Sequence, residues 1–369
     1  MGDYYIGLIS GTSMDGIDAA LVNIQERSID VVRTREHSYP DELRRQLMQT
    51  IREPRNCALD DLGRLDRWVG ECFSDAAAAL LEDAAVDASA VNAIGSHGQT
   101  IRHQPDAPRP FTLQIGDPTI IANGTGIVTV ADFRRADIAL GGQGAPLTPL
   151  FHEWLFRQTG LNRIVLNIGG IANVTILRGD AADTTGFDTG PGNTLLDAWV
   201  GKHCGEPFDR DGSWAAQGIL NEELLSRLSA DAYFSTAPPK STGFEYFNLE
   251  WLQAAGVEEL EPADVQATLC TLTADTIATA IRSSLADGSD VLVCGGGVHN
   301  LELMRRLRAA LPAISIESTA SVGLDPDWVE AAAFAWLAMR TVHRLPGNLP
   351  SVTGASRSTV LGAIHNVAS

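Results

Sequence analysis

The sequence predicts an α/β chain made of two related domains, and three short stretches carry that prediction. From Ile6 to Leu21 (IGLISGTSMDGIDAAL) an apolar run ends at Ser10, a turn rich in Gly and hydroxyls follows, and a second apolar run leaves it. From Arg163 to Leu177 (RIVLNIGGIANVTIL) the pattern recurs: Ile164, Val165, Leu166 and Ile168 lead to Gly169 and Gly170, and Val174 to Leu177 lead away. Both read as hairpins with glycine-rich tips, one in each half of the chain. The third stretch, Val291 to Asn300 (VLVCGGGVHN), is a buried strand that ends in Gly295, Gly296 and Gly297 and runs into a helix start. Backbone without Cβ atoms admits a flat or anionic ligand closely, and such loops turn N–H groups toward an anion. Singly each loop is ambiguous, because a Gly-Thr-Ser turn is most often only a turn. The ordered set of three is more specific.

The other elements follow in order. Arg44 to Ala85 reads as one helical stretch, with Leu62, Leu65, Val69, Phe73 and Ala76 near helical spacing and Asp60 or Asp61 as its cap. Val91 to Ser96 is a short strand ending at Gly95-Ser96-His97-Gly98. Phe111–Ile115, Ile120–Ala122 and Ile127–Ala131 are strand or short-helix pieces, and Leu140 to Pro149 is a Gly/Pro loop. His152 to Gln158 is helical and precedes a second domain that begins near Asn162. There Pro191–Val200, Asn221–Leu228 and Ala263–Ala286 read as helices, the last feeding the strand at Val291. Asp327 to Leu345 is apolar almost all round, which buries it against a sheet or a partner subunit.

A chain of 369 residues suits two domains, and 44% hydrophobic with 20% charged residues is ordinary globular composition. The formal net charge of −19 repels nucleic acid and anionic membrane, so neither is an expected partner. It repels a nucleotide at long range too, so any phosphate site must be built locally from N–H groups, metal and a few Arg residues. The five cysteines form no CxxC pair and no Cys/His metal spacing, which points to free thiols in a reducing compartment. Asp3 follows the start at once without a basic n-region, so no signal peptide is expected, and no run of 18 or more apolar residues occurs. The cytoplasm is the expected location.

The order of hairpin loop, second hairpin loop and strand–GGG–helix resembles the superfamily of actin, sugar kinases and heat-shock chaperone ATPases. More closely, the blocks GTSMDGID, GSHGQTIRH, QIGDP, ADFR, GGQGAPL, LNIGGIANV, GFDTGPGN and FDRDG resemble the anhydro-N-acetylmuramic acid kinase family, from Gly7 to about Leu361. The resemblance implies a two-domain actin-like ATPase fold of ribonuclease H-like units with a nucleotide and substrate cleft between them. It implies a first domain of 1–160 plus about 346–369 and a second of 161–345. The first two loops would hold the phosphates of ATP and the third its adenosine. The residues concerned are Gly11, Thr12, Ser13, Met14, Asp15, Gly16 and Asp18 in the first loop, and Asn167, Gly169 and Gly170 in the second. Gly190, Gly192 and Asn193 lie just beyond, and Gly295, Gly296, Gly297 and Asn300 form the third. Asp15 and Asp18 suit a Mg²⁺–nucleotide site. Many superfamily members carry Asp at the start of each phosphate loop, where this chain has Ser10 and Asn167, so no protein ligand to the metal is assigned.

Asp188 in Gly186-Phe187-Asp188-Thr189-Gly190-Pro191 reads equally as a turn or cap residue and as a held functional carboxylate. The resemblance makes it the catalytic base, with Asp15 its main competitor. On the sugar side stand His97, Gln99, Thr100, Asp132, Arg134, Arg135 and Glu330. An acidic protein needs a placed cation for the lactyl carboxylate of an anhydromuramic acid, from Arg134 or Arg135, with Arg102 and His103 as alternatives. His97 reads either as a hydroxyl-orienting group or as a structural histidine. Glu330 heads an otherwise apolar helix, where a carboxylate needs a partner or a task. Asp209 and Asp211 in FDRDG lack the later ligands of a calcium loop and read as a turn or a contact near the nucleotide. The implied reaction is ATP-dependent opening of the 1,6-anhydro bond of 1,6-anhydro-N-acetylmuramic acid by water, with phosphorylation of O6, in cell-wall recycling. Alternatives are an ordinary amino-sugar kinase acting on a free hydroxyl, and a noncatalytic ATPase switch. A homodimer is the expected assembly, on the apolar helix around Trp336.

Overall fold

Alternating apolar runs and helix breakers resolve into two mixed sheets in the computed structural model, which describes residues 3–368 other than 12, 13, 15, 180–183, 239, 244 and 285–288. Its strands are β1 (Tyr4–Ser10), β2 (Gly16–Ile24), β3 (Ile29–Ser38), β4 (Val91–Gln104), β5 (Phe111–Ile115), β6 (Thr129–Ala131), β7 (Arg163–Ile168), β8 (Ile171–Leu177), β9 (Thr185–Pro191), β10 (Asp290–Cys294), β11 (Ser315–Ser318) and β12 (Ala363–His365). Its helices are α1 (Asp41–Arg52), α2 (Leu59–Ala84), α3 (Pro118–Thr125), α4 (Arg135–Ala139), α5 (Pro149–Phe156), α6 (Thr194–Cys204), α7 (Glu222–Ser229), α8 (Ala232–Ser235), α9 (Leu249–Ala254), α10 (Pro262–Ser284), α11 (Leu301–Ala310), α12 (Val329–Val342) and α13 (Pro350–Thr353). The chain divides into two compact units, Met1–Leu155 with Trp328–Ser369, and Phe156–Asp327.

In the first unit the sheet order is β12-β6-β4-β1-β2-β3, with β5 paired to β4. β2 is antiparallel to β1 and β3, while β1, β4 and β6 run parallel. Parallel neighbours need a crossover, which α2 supplies between β3 and β4. From Tyr5 to Ser10 every residue of β1 is buried, so both faces of the strand are covered. α12 packs on β1, β2 and β4. Its approach is set by Gly7 and Gly95, which pair in register. A Cβ on Gly7 would strike the Ala331 carbonyl, and one on Gly95 the Phe334 carbonyl. Glycine in mid-strand is here a seat for helix backbone.

This packing moves the domain boundary. The chain rejoins the first unit at Trp328, not at about 346, because α12 belongs to the first sheet. It also removes the reason for expecting a dimer. Trp336 is 1% exposed and sits against Phe151 and Trp154, so the apolar surface of α12 is used within one chain.

The second unit has sheet order β11-β10-β7-β8-β9. β8 is antiparallel to β7 and β9, and β7, β10 and β11 run parallel. The plan repeats that of β3-β2-β1-β4-β6, with the same strand reversed. The two hairpins, β1–β2 and β7–β8, occupy the same place in each sheet. β7 is buried along its length, and α10 buries Val265, Leu269, Leu272 and Ile277 in the same core.

Several elements differ from expectation. The helical stretch from Arg44 breaks at Pro54, whose ring cannot continue a helix interior. Asp60 and Asp61 lie in the first turn of α2, and its cap is Ala58. Residues 185–191, where Asp188 reads as a turn or cap residue, form a strand. All five cysteines are free. Among the described residues no helix is long and apolar enough to cross a membrane.

Candidate active site

Each glycine-rich stretch begins where a central strand stops. β1 ends at Ser10, and the Gly11 carbonyl accepts a hydrogen bond from the Met14 N–H at 3.3 Å, with Met14 held at φ 54°. Gln99 faces Ser10 across the β1–β4 register. Its Oε1 accepts from the Ser10 hydroxyl at 2.7 Å, and its Nε2 donates to the Gly11 carbonyl at 3.4 Å. Gln99 is 2% exposed, and both ends of its amide are engaged at the start of the first loop. Thr12, Ser13 and Asp15 lie outside the described residues. Gly16 opens β2, where a Cβ would press on the His37 carbonyl, and Asp18 follows on that strand, paired with Ile9.

The second loop is tied to α6. The Gly192 and Thr194 N–H groups donate to the Gly170 carbonyl at 2.9 and 3.0 Å, and the Asn193 N–H to the Gly169 carbonyl at 2.9 Å. Asn193 Nδ2 adds a bond to the Ile168 carbonyl at 3.3 Å. Gly192 and Asn193 are therefore the fasteners of this loop, and their N–H groups serve protein carbonyls. Gly192 must lack a Cβ to let Gly169 in, whereas a Cβ on Gly169 itself would meet only the Ile171 carbonyl, at 3.6 Å.

In the third stretch a Cβ on Gly295 or Gly297 would collide with Asn167 or Ile168 of β7, but one on Gly296 would meet nothing within 4 Å. Packing between strands explains the first two glycines and leaves Gly296 as the one whose bare backbone faces open space. Asn300 caps α11, its Oδ1 accepting from the Leu303 N–H at 3.0 Å. Asp209 of the FDRDG block is a turn residue, accepting from Trp214 and Ala215 N–H groups at 2.9 Å each. Gly212 of the same block lies against Asn300.

Asp188 sits on β9 at a slip in the ladder: Asn173 pairs with Asp188 and Ala172 with Gly190, so Thr189 is bulged. A bulge re-aims the side chains beside it. One Asp188 carboxylate oxygen accepts from the Thr242 N–H at 2.9 Å. The Asp188 N–H donates to the Lys240 carbonyl at 3.2 Å, and the Tyr233 hydroxyl donates to the Asp188 carbonyl at 2.8 Å. Burial, reinforced by the Asp188 charge, keeps Tyr233 protonated well above its usual range. Lys240 donates to the Tyr233 carbonyl at 3.0 Å and lies over its ring at 4.5 Å. Burial lowers its pKa while the Asp188 charge opposes that. Sequence reasoning missed Tyr233, Lys240 and Thr242. The available signal was that Lys240 is one of only two lysines in the chain, within a Pro/Ser/Thr/Gly run.

In the first unit His97, Arg134 and Glu330 come together. A guanidinium only donates, so His97 Nε2 is the acceptor of the bonds from Arg134 Nε at 3.1 Å and Nη2 at 2.9 Å. Its Nδ1–H then donates to the Gly98 carbonyl at 2.9 Å. Burial, then the Arg134 charge, push the His97 pKa down to about 3, so the ring is neutral. Arg134 Nη1 also donates to the Gly144 carbonyl at 2.7 Å, and Gly144 is fixed by the fully buried Asp137, which its N–H meets at 2.8 Å. Asp137, missed in the sequence, also accepts from Asn348 and Thr353 at 2.7 Å each. Glu330 is reached by solvent, yet the protein packed round it raises its carboxyl above the usual range, with the Arg134 charge opposing. Arg135 is exposed and pairs with Asp132 at 3.5 Å, so of the two arginines the built one is Arg134. Thr100 accepts from Gln114 at 3.1 Å and His103 meets Thr112 at 3.1 Å, both between β4 and β5.

Two copies of one sheet plan, each with a glycine-tipped hairpin at its centre, define an actin-like ATPase and sugar-kinase fold. A family model described as anhydro-N-acetylmuramic acid kinase matches residues 3–367. The chain belongs to that family. It is 53% identical to the anhydro-N-acetylmuramic acid kinase of Shewanella halifaxensis over 98% of each chain. It is 50% identical to that of Coxiella burnetii, over 98% of this chain and 97% of the other. Among solved structures, component A of the Acidaminococcus fermentans (R)-2-hydroxyglutaryl-CoA dehydratase matches with TM-score 0.48 and 11% identity, covering 90% of this chain and 96% of that one.

Proposed function

We propose that this chain uses ATP and water to convert 1,6-anhydro-N-acetylmuramic acid into N-acetylmuramic acid 6-phosphate and ADP, a step in cell-wall recycling in the cytoplasm. The observation that carries the chemistry is Asp188, aimed by the Thr189 bulge and held by the Thr242 N–H. In the anhydro sugar O6 is bonded to C1, so there is no free 6-hydroxyl. Asp188 takes a proton from water as the water oxygen bonds to C1. The C1–O6 bond breaks, and O6 takes the γ-phosphoryl group while the bond from that phosphorus to the ADP oxygen breaks. Asp188 thus acts as general base, and the remaining task is to position and neutralise the phosphates.

Gly169 and Gly296 suit close approach of nucleotide, since neither needs its missing Cβ for packing inside the protein. Mg²⁺ would arrive with ATP, ligated by phosphate and water, and would neutralise the transferring group. Among the described residues no group of three or more His, Cys, Asp or Glu is placed to hold a metal. Arg134, oriented by His97 and Gly144, binds the lactyl carboxylate, and Glu330 accepts from a sugar hydroxyl. The test is turnover of the anhydro sugar with ATP in ¹⁸O-water. A 6-phosphate sugar carrying ¹⁸O at C1 supports this reading. Equal phosphorylation of unbridged N-acetylmuramic acid, or ATP hydrolysis independent of sugar, would replace it with a free-hydroxyl kinase or a switch ATPase.

A further inference from the structure

We propose that Gln99 is a positioning residue that acts through the first phosphate loop, holding the Ser10–Gly11 corner in the shape that receives nucleotide. The inference rests on the reading of that loop as a phosphate loop. Ser10 is the last residue of β1 and Gly11 lies beyond it, where the β1–β4 pairing has run out. Gln99 extends the pairing with its side chain. Its Oε1 accepts a hydrogen bond from the Ser10 hydroxyl at 2.7 Å, and its Nε2 lies 3.4 Å from both the Gly11 and the Thr100 carbonyls. Ser10 and Gln99 are 3% and 2% exposed, so water does not compete for these bonds.

The amide is placed there by an irregularity in β4. Leu8 pairs with Ser96 and Ser10 with Gln99, so His97 and Gly98 together face Ile9. Gly98 accommodates the slip at φ 72°, and a Cβ there would crowd the Ile115 carbonyl. Holding the Gly11 carbonyl holds the direction in which the chain leaves β1. The Gly11 carbonyl is pinned twice, by Gln99 and by the Met14 N–H.

The experiment is calorimetric titration of the full chain with ADP, and separately with the anhydro sugar, for four proteins: wild type, Gln99→Met, Ser10→Ala and Ser10→Thr. Methionine keeps the length of Gln99 and removes both hydrogen bonds. Losing them is expected to weaken ADP binding roughly tenfold. Ser10→Ala should weaken it less, and Ser10→Thr, which keeps the hydroxyl, should bind like wild type. Sugar affinity should stay within about twofold in all four, since Gln99 holds the nucleotide loop. ADP affinity unchanged in Gln99→Met, or ADP and sugar affinity falling together, overturns the proposal. If Gln99→Met fails to fold, the Ser10→Ala and Ser10→Thr pair decides by the same criterion. If the wild type itself binds no ADP, the phosphate-loop reading falls, and the inference with it.

Discussion

In the first unit the ladder slips between β1 and β4, where His97 and Gly98 share one partner; in the second it slips between β8 and β9, at Thr189. Five strands of the first sheet, β3-β2-β1-β4-β6, match the second sheet in order and direction. The first slip sets up His97, Arg134 and Gln99, a cation and a loop clamp. The second sets up Asp188, a carboxylate held by a backbone N–H. Slips at different strands thus shape the two halves of a duplicated scaffold, and under the proposed function one half binds while the other reacts. Topology alone would not reveal which half does which.

That division can be broken from either side. Asp188→Asn keeps the shape of the bulge and removes the base. Turnover should fall about 10³-fold while ADP affinity is retained, and residual turnover near wild type would move the base elsewhere. Arg134→Ala should raise the KM for the anhydro sugar about 10- to 100-fold through loss of a charge-assisted contact. An anhydro sugar lacking the lactyl group should be indifferent to that change; equal sensitivity would detach Arg134 from the carboxylate. Stability gives a third contrast. Gly7→Ala should lower stability by about 1–3 kcal/mol, because the new methyl meets the backbone of α12. Gly63→Ala, inside α2 with nothing within 4 Å, should raise it by about 0.5–1 kcal/mol. Chemical denaturation of the two variants checks both signs.

Acid should also separate the halves. His97 and His152 are pushed down to about 3 and His103 to about 4, in each case first by burial, and all three lie in the first unit. The unfolded chain protonates them near the ordinary 6.5, so between 6.5 and those values it binds more protons than the folded one. Their contribution to stability is complete above about 6.5 and is lost as pH falls toward 3. Hydrogen exchange at pH 5 compared with pH 7.5, corrected for intrinsic rates, should show protection falling more in the first unit than in the second. Uniform change across both units would contradict this.

Both hairpins and the glycine stretch after β10 were legible in the sequence because each is a run of apolar residues next to glycine, and the burial of α12 because that helix is apolar almost all round. What escaped lacked that contrast. β3 alternates polar and charged side chains along a sheet edge (Arg33, Arg35, His37), so no apolar run marks it. β9 is rich in Gly and Pro and reads as a loop until its partner β8 is in place. Asp137 meets the Asn348 and Thr353 side chains, and Tyr233, Lys240 and Thr242 meet Asp188, all partners distant in sequence that local spacing does not encode. The glycines show the converse: their positions were found, but only the packing tells that a Cβ at Gly192, Gly295 or Gly297 would strike the protein itself.

The seating of α12 on Gly7 and Gly95 has an evolutionary side. Phe334, whose carbonyl rests over Gly95, packs its ring on His97 at 4.7 Å, and Glu330 lies one turn before it. A side chain gained at position 7 or 95 would lift the helix and take both with it. These two mid-strand positions should therefore vary among descendants only together with the small residues Ala331, Ala335 and Ala338, as one inherited unit rather than five independent sites.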